Sequence, residues 1–153
     1  MIEQLIEKRI IDAVNALNLP GLAVSGIWQP VGYGAVKGME GADHTAALAV
    51  SVGPRTFDTF TVCECSFDVR LALVVRLGRD ATGNALVEYV GGILDLLTRW
   101  NMDEYGDWCA ELAVDGFDPS GIRVDTGAGP SIDRDAGLAT VDFGFTLKGS
   151  VAH

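Results

Sequence analysis

Phe67-Asp68-Val69-Arg70-Leu71-Ala72-Leu73-Val74-Val75-Arg76-Leu77 alternates between two kinds of side chain. Phe67, Val69, Leu71, Leu73, Val75 and Leu77 are large and apolar, while Asp68, Arg70, Ala72, Val74 and Arg76 stand between them. Successive side chains of a strand point to opposite faces, so this period of two predicts a half-buried antiparallel strand. A polar turn follows, Gly78-Arg79-Asp80-Ala81-Thr82-Gly83, and beyond it the period changes. Leu86, Tyr89, Val90, Ile93, Leu97 and Trp100 share one stripe of a 3.6-residue helix, with Glu88, Asp95, Thr98 and Arg99 away from it. The helix is expected to start at Ala81 or Asn84 and end at Trp100. A long strand thus hands its apolar face to the helix that follows.

Working outward, Ile2 to Leu17 reads as a first helix with Ile2, Leu5, Ile6, Ile10, Val14 and Leu17 inward and Glu3 in the first turn, where the helix dipole favours negative charge. Asn18-Leu19-Pro20-Gly21 stops it, because proline lacks an N–H and glycine tolerates a left-handed exit. Leu22 to Trp28 and Thr45 to Val52 read as strands, separated by the aperiodic, glycine-rich segment Gln29 to Asp43. Loops of that length are usually functional or disordered, and both readings stay open here. Gly53-Pro54-Arg55 is a turn, and Phe57 to Cys65 has strand character, either separate from the stretch at Phe67 or continuous with it. Gly91-Gly92 interrupts the second helix, at about 1 kcal/mol each relative to alanine, as a tolerated defect or as the mark of a close neighbour. A short helix is expected near Gly106 to Leu112. Two strands then close the chain: a short one at Ile122 and Val124 after the turn Asp118-Pro119-Ser120-Gly121, and an alternating one over Leu138 to Leu147. Between them lies an acidic, glycine-rich loop, Thr126 to Gly137. The predicted class is α+β, one domain over residues 1–153, with an antiparallel or mixed sheet and two principal helices packed on it.

Bulk properties narrow the function classes. A chain of 153 residues buries roughly 68–70% of its unfolded surface, enough for a core without metal or disulfide staples. Eleven basic against twenty-one acidic residues leave a net charge of −10, which opposes general binding to nucleic acid or to an anionic membrane. The opening MIEQLIEKRIIDAV has neither a basic leader nor an uninterrupted apolar run, so no signal peptide is expected. Cys63, Cys65 and Cys109 are an odd number, and reduced thiols are expected.

The familiar chemical motifs are missing. Gly32, Gly34 and Gly38 do not match the dinucleotide fingerprint, and no Gly-Lys-Ser/Thr ends a phosphate loop. Cys63-x-Cys65 would share a strand face, yet Cys109, His44 and His153 do not complete a zinc set of recognisable spacing. No Gly-x-Ser-x-Gly elbow occurs. Asp133-Arg134-Asp135 and Asp115-Gly116-Phe117-Asp118 could suit a hard cation but do not follow the twelve-residue calcium loop. No catalytic residue, metal ligand or cofactor site is assigned.

The order helix, strands with a long loop, long strand, helix, strands resembles the tail terminator proteins of long-tailed bacteriophages. The final segment carries the likeness further, with Gly121-Ile122-Arg123-Val124, Gly127-Ala128-Gly129-Pro130, Asp133-Arg134-Asp135 and the strand Leu138 to Leu147. It is similar to the closing hairpin of phage and prophage tail-completion proteins. The resemblance implies a structural, non-enzymatic subunit without cofactor. Such a subunit forms a homo-oligomeric ring, usually a hexamer, that caps the tail tube, ends its polymerisation and offers a surface to the head. It implies assembly in the bacterial host cytoplasm, a place in the virion tail, and tail-tube and neck proteins as partners, with DNA sliding through the ring. A neck connector, a tail-tube relative, or a cytosolic enzyme or ligand-binding domain with a scattered site are the alternatives. The expected contact residues are Tyr33, Val36 and Lys37 in the long loop, Asp68, Arg70 and Arg76 on the polar strand side, and Asp133, Arg134 and Asp135 near the end.

Overall fold

The alternating stretch is the middle of one thirteen-residue strand, Glu64–Arg76, and everything else is laid against it. The computed structural model describes residues 2–28, 44–57, 64–79, 84–102, 111–125 and 129–151. Its elements are α1 (Ile2–Asn15), β1 (Leu22–Gly26), β2 (Ala46–Val52), β3 (Thr56–Phe57), β4 (Glu64–Arg76), α2 (Asn84–Met102), β5 (Phe117–Val124), β6 (Ser131–Asp133) and β7 (Leu138–Val151). The strands form a single sheet in the order β1-β2-β4-β7-β5, with β3 pairing β4 and β6 pairing β7. Only β1 and β2 run parallel among the described pairs; the others are antiparallel. The class is α+β with a mixed sheet, as the sequence predicts.

β4 and β7 form the backbone of the sheet, in unbroken register from Glu64↔Ser150 to Arg76↔Leu138. Their period of two sends Cys65, Phe67, Val69, Leu71, Leu73 and Val75 into the core, beside Ala139, Val141, Phe143, Phe145 and Leu147. Ala46, Leu48, Val50 and Val52 of β2 lie on the same side. Ile6, Ile10, Ile11 and Val14 of α1 and Tyr89, Ile93, Leu96, Leu97 and Trp100 of α2 complete that core. Each such aliphatic or aromatic side chain contributes about 1.5–3 kcal/mol when fully removed from water. Edge-on ring contacts tie the ends together: Phe67 meets Phe117 at 5.2 Å and Trp100 meets Phe145 at 5.8 Å between centroids.

Several boundaries differ from the sequence reading, each for a physical reason. α1 turns Leu5 outward, 38% exposed, and buries Glu3 and Glu7 in its place. Both carboxylates have inward partners: Glu3 receives a forked pair of hydrogen bonds from Arg55, at 2.9 and 3.0 Å, and Glu7 Oε1 accepts the Trp28 backbone N–H at 2.9 Å. The left-handed residue after α1 is Asn18, with φ 53°, and Gly21 follows at φ 77°. Asp118 to Gly121 is no turn but part of β5, bulged between Pro119 and Gly121. Proline is tolerated there because β5 has β7 on one side and no described strand on the other. The expected loop before β7 contains β6, whose three residues pair with Leu138, Ala139 and Thr140. Cys65 belongs to β4, which runs through Ser66 and Phe67 without a break, while Thr56–Phe57 is a separate strand paired to it. α2 extends to Met102. Gln29 to Asp43 and most of the expected helix near Gly106 to Leu112 lie outside the described residues.

Gly92 has a structural reason, since a Cβ there would come 3.2 Å from both methyl carbons of Leu19. Gly91 has none among the described residues: a Cβ there meets no described atom within 4 Å.

Candidate interaction surface

Because both helices pack on one side, the even-numbered positions of β4 and β7 face the other. The register turns this face, on which no described helix packs, into rows. One row runs Ser25, Ala49, Ala72, Asp142; its neighbours run Ala23, Ala47, Val74, Thr140 and Ser51, Arg70, Gly144. Side chains are small and mostly apolar over β1, β2 and the middle of β4, and become charged towards β7 and β5.

Over the small side chains lies a hollow of about 350 Å³, whose lining includes Ser25, Ile27, Ala47, Ala49, Ala72 and Val74. Ile27 and Trp28, at the exit of β1, are 64% and 42% exposed. The Glu7 carboxylate holds this exit from beneath through the Trp28 N–H.

The charged half is organised around a missing side chain. A Cβ on Gly144 would lie 2.7 Å from Arg70 Nη1 and 3.2 Å from Asp125 Oδ2, so the guanidinium and the carboxylate converge over the bare backbone of β7. Asp125 is fixed there by its own N–H, which donates to the Gly144 carbonyl at 2.9 Å. Asp68 Oδ1 accepts the Thr146 hydroxyl at 3.2 Å in the row below. At the other end, Arg76 pairs in register with Leu138, which itself pairs with Asp133. Arg76 and Asp133 therefore share one cross-strand row, two strands or about 9–10 Å apart.

Of the expected contact residues, Asp68, Arg70 and Arg76 lie on this face, and Asp133 stands at its margin. Arg134 and Asp135 are exposed in the turn after β6, where Asp133 Oδ1 accepts the Ala136 N–H at 3.1 Å. That bond gives Asp133 a local role in shaping the turn. Tyr33, Val36 and Lys37 lie outside the described residues. Ala47, Ala49, Gly144 and Asp125 join the surface without having been singled out by sequence. Only the glycine, which interrupts the polar positions Thr140, Asp142 and Thr146 of β7, offers a local signal.

Two further hollows are polar. One of about 300 Å³ lies between β3 and β5, with Thr56, Phe57, Glu64, Ser66, Ser120 and Lys148 in its wall. Cys65 borders it; burial pushes its thiol pKa up, against a smaller opposing effect of Arg55, so the group is held as the less reactive thiol. The other lies between α1 and the turn at Val114 and Asp115. Among the described residues no three His, Cys, Asp or Glu side chains are grouped as metal ligands, and no helix is long and apolar enough to cross a membrane.

The fold so described is a mixed sheet with helices on one face and no described helix or strand packed on the other. No protein-family profile and no curated protein sequence matches the chain. Among solved structures, a chain from the virion of a native gene transfer agent particle is similar over 90% of this chain and 84% of that chain, at 16% identity and a TM-score of 0.49. A likeness of that degree speaks to neither family nor function.

Proposed function

We propose that this chain is a structural subunit of phage or prophage tail assembly, of the tail-terminator kind. In this reading, copies form a ring, a hexamer as the sequence resemblance implies, that caps the tail tube in the host cytoplasm, stops its growth and receives the head. The observation that carries the reading is the second face of the sheet, on which no described helix packs. Its residues are held in one plane by β-sheet register, small where a partner must come close and charged where it must be oriented. Such a surface acts by matching another surface, which suits a subunit that works through contact. The net charge of −10 is compatible with DNA passing through a ring, since a basic lining would retain phosphates.

The test is sedimentation velocity and negative-stain electron microscopy of the purified chain, alone and with purified tail tubes. Rings that sit on one tube end, and that halt tube growth when added to a polymerising mixture, are the expected result. Placing arginine at Ala49 and Ala72 should abolish tube binding while the far-ultraviolet spectrum stays unchanged. A chain that ignores tubes altogether overturns the reading.

A further inference from the structure

We draw no further inference here: the strongest candidate, the apolar hollow over Ala47, Ala49, Ala72 and Val74 on the sheet face opposite the helices, belongs to the surface already described, and nothing in the structure shows what covers it.

Discussion

The Glu7 carboxylate occupies the volume in which a side chain at position 26 would sit. A Cβ built on Gly26 would lie 1.8 Å from Glu7 Oε1 and 2.4 Å from its Cδ. Glu7 is completely buried and engaged with the Trp28 N–H, so it cannot swing aside without giving up that bond. Gly26→Ala should therefore destabilise the fold by about 1–3 kcal/mol through overpacking alone. In a urea-melt double-mutant cycle with Glu7→Ala, the double variant should lose less than the sum of the singles, because the clash is shared. Additive losses would mean that the two positions do not compete for space.

Glu3 and Arg55 tie α1 to the turn before β3, and their bond makes stability depend on pH. The forked bond from Arg55 outweighs burial and holds the Glu3 carboxyl below its ordinary range, while Glu3 raises Arg55 in return. A carboxylate depressed in the folded state stabilises fully above the unfolded value of about 4.3, and that stabilisation fades as pH falls through the lower folded value. Glu3→Gln should cost about 1.5–3 kcal/mol near neutrality, the range for hydrogen bonds to charged groups. The variant and wild-type curves should converge as pH falls through the depressed folded value of Glu3. Urea midpoints over a pH series check this; curves that stay parallel into acid would contradict it.

Phe67 and Phe117 meet edge to face at an interplanar angle of 88°, both buried, where β4 passes the start of β5. Phe67→Ala should cost about 3–5 kcal/mol, the range for emptying a buried aromatic site. Phe67→Leu should lose distinctly less because most of the volume stays filled. Chemical denaturation of both variants separates cavity formation from loss of the ring contact.

The adjacent glycines of α2 should respond in opposite ways. Gly91→Ala meets no described atom and should stabilise the monomer by about 0.5–1 kcal/mol. Gly92→Ala gains the same backbone preference but presses on Leu19 at 3.2 Å, so it should bring no net gain. The comparison is made by denaturant titration at a concentration where the chain is monomeric. Equal stabilisation by both would show that Leu19 yields freely.

What sequence alone determined here is whatever repeats along one segment. The alternation from Phe67 to Leu77 and from Leu138 to Leu147, and the stripe from Leu86 to Trp100, already stated most of the side chains that face the core, though the stripe left out Leu96. They also placed Asp68, Arg70 and Arg76 on the opposite face, because side-chain direction in a strand or helix follows from local geometry. Tertiary structure decided everything that depends on which segments meet. Glu3 and Glu7 could turn inward only because Arg55 and the Trp28 N–H arrive from 52 and 21 residues away. Pro119 could sit inside a strand only because β5 has no described strand beyond it. The small side chains of β2 became part of a surface only when register set Ala47 against Val74 and Ala49 against Ala72. Periodicity belongs to a stretch of chain, whereas partnership is a property of the whole sheet.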